Sequence, residues 1–373
     1  MAKIWTGVVR EYADFMPEHI LRKVITLGEG GNALIKAEYL DAELSKLTGR
    51  DVNVYIKFEG RNPTGSFKDR GMTSAISAAA GKGAKAVVCA STGNTSASAA
   101  AYAVAANMTP AVLVPDGKIA MGKLAQAIAH GAKLLQVDGN FDDCLDLARE
   151  LGANYEVELV NSVNPDRIEG QKTGAFEVVD ELGDAPTIHA LPVGNAGNIT
   201  AYWKGYKEYN EAGLSGTTPQ MWGFQAEGAA PIVLGHPVEN PETIATAIRI
   251  GKPASWEKAE AARDESKGLT EAVSDAQILE AHRILSAKVG VFVEPASAAG
   301  VAGLLKKARE GSFNESLGDI TGNFNIVITC TGHGLKDPSW ALNGLDGKSK
   351  GADTEPIKVP NDIHEVAQVL GLQ

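Results

Sequence analysis

Short apolar runs and helical stretches alternate along most of the chain. KAVVCA (85–90), AVLVP (111–115) and KLLQV (133–137) are brief and rich in branched residues, and each is followed by turn residues and then by 10–15 residues of Ala-rich or amphipathic sequence. Strands of that length alternating with such helices predict βαβ crossovers and a parallel sheet. Just before them, VNVYIKFEG (52–60) reads as an extended segment ending in a turn. RNPTGSFKDRG (61–71) then gives way to the helical TSAISAAAGKG (73–83), which places Lys68 where turn becomes helix.

The same grammar resumes further on. YEVELV (155–160) is followed by the helical KTGAFEVVDELG (172–183) and by TIHALPV (187–193), which runs directly into GNAGN (194–198). MWGFQAEG (221–228), VGVFVEPASAAG (289–300) and FNIVITCTGHG (324–334) supply further strand-to-loop transitions, apolar enough for strands buried on both faces. This predicts a second parallel sheet, an exposed turn region at LDGKSKGADTEP (345–356) and a terminal helix in NDIHEVAQVLGL (361–372). The expected organisation is α/β with two domains: a small one over 57–165 and a large one made of 1–56 plus 166–373.

Composition narrows the chemistry. The 373 residues include 41 Gly but only 16 Pro with no Gly-X-Y period, which excludes a collagen-like chain. A formal charge of −11 offers no general attraction to nucleic acid, while leaving room for a small positive pocket that takes a phosphorylated metabolite. Cys89, Cys144 and Cys330 lack disulfide or metal-ligand spacing and are expected to be buried thiols in a reducing compartment. There is no HExxH or CxxC for zinc, so no metal is expected, and no GxxxxGK[ST] for an ATP loop. LGEGGNALIKA (27–37) lacks a complete dinucleotide fingerprint. No signal-like segment and no 18-residue apolar run occurs, which argues for a cytoplasmic protein without a membrane span.

Four turn-rich sequences follow apparent strands: STGN (91–94), GNAGN (194–198), EGAAP (227–231) and TGHG (331–334). Glycine lets the backbone approach a ligand closely, and exposed amides at a helix start can hold phosphate. GNAGN is the foremost phosphate-loop candidate, against the alternative of a tight turn with no ligand. Lys68 could form a Schiff base if burial or a neighbouring charge raises its neutral fraction, against the alternative of a solvated helix-start lysine. The seven histidines are dispersed, with His333 singled out only because it lies inside TGHG.

Taken together, NPTGSFKDRG, ASTGNTSAS, LPVGNAGN, GFQAEGA and TCTGHGLKD resemble the threonine synthase family, of the tryptophan-synthase-like (fold type II) pyridoxal-phosphate enzymes. The resemblance spans roughly residues 25–340, and NSVNPDRIEGQKT favours the threonine synthases within the group. GEGGNALI departs from the Thr-Pro-Leu continuation more common there. The resemblance implies that Lys68 carries pyridoxal 5'-phosphate as a Schiff base and moves protons during catalysis. Phe67 would pack beside the cofactor, and Asn94 would bond its ring hydroxyl. Gly194, Asn195, Ala196, Gly197 and Asn198 would cradle its phosphate, and Thr331 would meet its pyridine nitrogen.

The implied substrate is O-phospho-L-homoserine, converted with water to L-threonine and phosphate by γ-elimination and β-addition. Its distal phosphate would be held by Ser91, Thr95, Asn161, Arg167 and Asn195, with Arg167 giving the main positive charge. A homodimer is implied as well. Two other readings stay open: a threonine dehydratase-like enzyme of the same fold, which needs no phosphate pocket, and an inactive metabolite sensor.

Overall fold

The computed structural model describes residues 4–116, 121–318, 320, 322, 324–342 and 356–372. Its strands are β1 (Ile35–Lys36), β2 (Val52–Phe58), β3 (Ala86–Ala90), β4 (Thr109–Pro115), β5 (Lys133–Val137), β6 (Val157–Leu159), β7 (Ile188–Pro192), β8 (Gln220–Ala226), β9 (Leu269–Val273) and β10 (Phe324–Cys330). They form a four-stranded sheet in the order β5-β4-β3-β6 and a six-stranded sheet in the order β1-β2-β10-β7-β8-β9. All pairings are parallel except that of β1 with β2. The expected two-sheet α/β architecture is therefore observed.

Double-sided burial explains the apolar strands. Every residue of β7 and β8 is buried. Along β10, Ile326 and Ile328 face one core, with Leu304 and Leu305 of the Ala299–Arg309 helix, while Val327 faces another, with Tyr202 and Tyr206 of the Gly197–Glu211 helix. Successive residues of a strand point to opposite faces, so helices on both sides demand apolar side chains at every position.

VGVFVEPASAAG departs from the expectation. Gly290, at φ 78°, ends a one-turn π-helix, and only Val293 makes an isolated bridge, to His333. Glu294 N–H then donates to Gly332 O (3.1 Å) and Gly334 N–H donates to Phe292 O (3.0 Å), so the segment pairs with a loop instead of a sheet before Pro295 opens a 3-10 turn. Conversely, β9 and the short β1 carry too little apolar signal to be read as strands. Helices cover Met121–Ala129, Phe141–Asn154 and Ile363–Val369 as expected, whereas 345–355 of the predicted turn region lies outside the described residues. All three cysteines are free and buried.

The helices that carry Lys68 and Arg167 cross closely. The Lys68–Lys82 helix packs against the short Asp166–Gln171 helix so closely that a Cβ on Gly170 would lie 1.8 Å from Arg70 O and 2.4 Å from Ser74 Oγ. Ser74 Oγ also donates to Asp166 O at 2.6 Å. Because the obstacle is backbone, no rotamer change can make room. Gly170→Ala is expected to destabilise the protein by about 1–3 kcal/mol or more, read by urea unfolding.

Candidate active site

Parallel sheets present ligands at the carboxyl ends of their strands. Here the ends of β3, β6, β7 and β10 converge on a cavity of about 400 Å³. Lining it are Phe67, Lys68, Ser91, Asn94, Thr95, Asn161, Arg167, Gly194, Asn195, Ala196, Gly197, Asn198 and Thr331, so every residue assigned through the family resemblance borders the same space. EGAAP does not line it; there Ala229 N–H closes a turn onto Ala226 O. His333 is also absent from the lining. Its ring lies between Phe58 and Phe292, and its Nδ1 accepts from Leu335 N–H.

Lys68 is the first residue of its helix, and its neighbours fix it in place. Phe67 N–H donates to Thr331 O (2.9 Å) and His333 N–H donates to Gly65 O (2.9 Å), which ties the Lys68 loop to the end of β10. Asp69 accepts from Thr64 Oγ1 (2.6 Å) and Ser98 Oγ (2.5 Å). Arg70 forks onto Glu59 (2.7 and 2.9 Å) and Glu177 (2.6 and 2.7 Å), and Glu177 also accepts from Lys57 (2.6 Å). These four buried charges balance, and the two cations hold the Glu177 carboxyl down at about 2 against the opposing effect of burial. These bonds on the two residues after Lys68 fix the helix start from which its side chain projects.

The amine itself has no hydrogen-bond acceptor or carboxylate within ion-pair distance among the described residues; its Nζ lies 4.3 Å from the Phe67 ring centroid. Burial, then the charge of Arg167, push it down to about 7 against the pull of Glu294. Near neutral pH a large fraction is therefore neutral and nucleophilic.

Arg167 is 2% exposed. One Nη1 donates to Val160 O (3.2 Å), Nε is buried with no partner, and no carboxylate pairs with it among the described residues. Burial pushes the guanidinium down to about 10. An uncompensated buried cation on a cavity wall is a site for an anion, because only a ligand can repay its lost hydration.

GNAGN forms the turn from β7 into the 15-residue helix Gly197–Glu211. A Cβ on Gly194 would sit 2.9 Å from Ile248 Cα, and Ala196 adopts the left-handed region at φ 64°. The first N–H groups of a helix have no intrahelical acceptors and carry the positive end of its dipole, which suits phosphate. Asn198 Oδ1 is buried without a partner, and Asn195 Oδ1 accepts from Ala254 N–H (3.3 Å). A cavity offering a neutralisable amine, a helix start and a free guanidinium fits a phosphorylated aldehyde cofactor together with a second anion. Among the described residues, no group of three or more His, Cys, Asp or Glu could hold a metal ion.

Several partners refine the residue roles. Asn161 exchanges both of its amide groups with Ala90, accepting from its N–H and donating to its O at 2.9 Å each, and so clamps the end of β3 where Ser91 begins. Thr331 Oγ1 shares a 2.9 Å bond with Ser297 Oγ. Sequence reasoning passed over Glu294, Gln171 and Lys336, which also line the cavity. The last two lie inside quoted motifs, in RIEGQKT and TGHGLKD, and Glu294 lies in the segment read as a strand.

Comparison with known proteins points the same way. A model of the pyridoxal-phosphate dependent enzyme family matches residues 25–329. The chain is 56% identical to threonine synthase from Mycobacterium tuberculosis (strain ATCC 25618 / H37Rv) over 369 residues, 99% of this chain and 97% of that one. Identity is 52% with the Synechocystis threonine synthase, covering 98% and 91%, and 46% with that of Methanocaldococcus jannaschii, covering 98% and 87%. Among solved structures, maize serine racemase superposes with a TM-score of 0.69 at 20% identity, covering 89% of this chain and 94% of that one. Threonine deaminase isoform 2 from Solanum lycopersicum gives 0.67 at 22% identity, covering 91% and 94%. At these identities the last two speak for the fold alone.

Proposed function

The chain belongs to the pyridoxal-phosphate-dependent enzyme family and, within it, to the threonine synthases; from that premise we propose that its cavity converts O-phospho-L-homoserine and water to L-threonine and phosphate, the chain working as a cytoplasmic homodimer. The observation that carries the choice of a phosphorylated substrate is Arg167, a buried guanidinium facing the Lys68 cavity with no protein anion to neutralise it. A hydroxyamino acid such as threonine would bring no phosphate to that charge.

Bound pyridoxal phosphate supplies an electron sink that stabilises carbanionic charge on the substrate. Lys68 would hold it covalently and, once freed, would carry protons among the substrate carbons from its Nζ. An amine near pKa 7 can both take and give a proton at neutral pH. Gly194 through Asn198 would hold the cofactor phosphate at the helix start, and Thr331 would meet the ring nitrogen with a neutral hydroxyl that Ser297 already bonds. Ser91 and Thr95, at the start of the Asn94–Ala105 helix, bind substrate anions through hydroxyls and amides. Asn161 steadies that loop through Ala90, and Asn195 and Arg167 complete the distal phosphate pocket. When the γ-phosphate leaves, its charge stays on Arg167. The β carbon gives up one hydrogen as a proton and takes hydroxide from water, the γ carbon gains one proton, and the remaining proton goes to the departing phosphate, so that the atoms of substrate and water are all accounted for.

The deciding measurement compares two substrates on the same cofactor-loaded protein. Threonine and phosphate should form in equal amounts from O-phospho-L-homoserine. Production of 2-oxobutanoate from threonine with no phosphohomoserine turnover would instead make it a dehydratase.

A further inference from the structure

A buried carboxylate is out of place in a cavity built to hold anions. Glu294 is only 5% exposed and lines that cavity, where its charge opposes any phosphate. Burial pushes its carboxyl up, and only Asn94, Lys336 and Lys68 draw it back down. A group kept there at such a cost needs a task. Its position is firmly set: Glu294 N–H donates to Gly332 O at 3.1 Å, its own carbonyl accepts from Ser297 N–H at 3.0 Å, and Pro295 follows it. Gly332 makes the space, since a Cβ there would lie 2.4 Å from Glu294 Oε1.

The carboxylate makes one side-chain contact that explains it. Asn94 Nδ2 lies 3.0 Å from both Glu294 Oε1 and Oε2. The two ends of an asparagine amide have nearly the same shape, so only hydrogen-bond partners decide which way it faces. An ionised carboxylate accepts and cannot donate, so it admits the NH2 end and rejects Oδ1. Reversing Asn94 would set a carbonyl oxygen against two carboxylate oxygens in a buried place.

We propose that Glu294 is a positioning residue that acts through Asn94, fixing the orientation of the Asn94 amide that meets the cofactor. The proposal rests on the reading that Asn94 contacts pyridoxal phosphate. A rival explanation is that Glu294 acts directly on the Lys68 amine by its charge. The two make different demands: orientation acts only while Asn94 is present, whereas charge acts without it.

The test is uptake of pyridoxal phosphate by cofactor-free protein, followed by visible absorption and apparent Kd, in wild type, E294A, E294Q, N94A and the E294A/N94A double variant. E294A should weaken uptake roughly tenfold, the scale of one lost charge-assisted hydrogen bond. E294Q offers a donor as well as an acceptor, so it should recover only part of the affinity, and the double variant should be no weaker than N94A alone. A double variant whose loss is the product of the two single losses overturns the proposal and favours the direct charge effect. E294Q combined with N94A runs the same comparison if E294A does not fold. Failure of the underlying reading looks different: N94A would then bind as wild type does, or wild type would show no saturable uptake, and the proposal would fall with it.

Discussion

Lys68→Ala is expected to abolish covalent cofactor attachment and to lower turnover of O-phospho-L-homoserine by at least 10²–10⁴-fold, the scale associated with loss of one acid–base group. At the start of this helix, Asp69 and Arg70 are locked by hydrogen bonds and paired charges, whereas Lys68 has neither, so its role is not to stabilise the fold. Borohydride reduction followed by mass measurement reads attachment directly. A variant that still carries covalent cofactor at another lysine would refute the assignment. The fold should survive, because no hydrogen bond is lost with the side chain.

The same amine sets a pH dependence. Its folded value is about 7, below the ordinary 10.5. Between those values the unfolded chain binds the extra proton and the folded one does not, so stability of the cofactor-free protein rises with pH from about 7 to 10.5. Below about 7 both states are protonated and the full penalty of a buried charge is present. Lys68→Ala should remove that slope. In wild type the rate of cofactor capture should fall about tenfold for each pH unit below 7, as the neutral amine is depleted.

How much was legible beforehand depends on the range of each signal. β3, β4, β7 and β10 announce themselves because strands largely covered on both faces must be apolar at nearly each position, a local rule. Lys68 and GNAGN are likewise local, each lying where a turn opens a helix. Glu294 was not legible, because its meaning lies in Asn94, 200 residues away. Nor was the Arg70 cluster, whose four members come from β2, a turn and two helices, and which looks in sequence like ordinary surface charge. VGVFVEP misled because apolarity reports burial and not hydrogen-bond pairing; Val293 is fully buried while joining no sheet.

The glycines show how packing turns sequence into chemistry. Gly170 and Gly71 allow the helices carrying Arg167 and Lys68 to cross at backbone distance, and a Cβ on Gly71 would already lie 2.9 Å from Arg167 O. The two cations are thereby brought close enough for Arg167 to help lower the Lys68 pKa. On the proposed reading, amine activation and anion binding would be two consequences of one contact, and a substrate phosphate that neutralises Arg167 would also ease reprotonation of Lys68.

Arg167 gives the second large prediction, and the signs of its two effects separate binding from structure. Arg167→Met keeps much of the volume while removing a buried cation that no protein group compensates. Loss of a fully desolvated charge from a phosphate contact costs about 2–5 kcal/mol, or roughly 30- to 5,000-fold in kcat/KM for phosphohomoserine. A structural salt bridge would lose stability on the same change. Here unfolding stability in phosphate-free buffer is expected to hold or to rise, because the unfavourable burial of the charge is relieved. With the cofactor bound, so that its phosphate cradle is filled, inorganic phosphate should raise the Tm of wild type more than that of the variant, as linkage requires of a ligand bound only by the folded protein. Arg167→Lys should recover charge without the planar fork and fall between the two. The phosphohomoserine loss should come with the cofactor still bound at saturation, since on the proposed reading its phosphate has its own cradle at the start of the Gly197–Glu211 helix, and capture should only be slower near neutral pH, where Arg167 no longer lowers the Lys68 pKa. A variant that loses stability and cofactor together would instead make Arg167 part of the scaffold, and the phosphate pocket would have to lie elsewhere in the cavity.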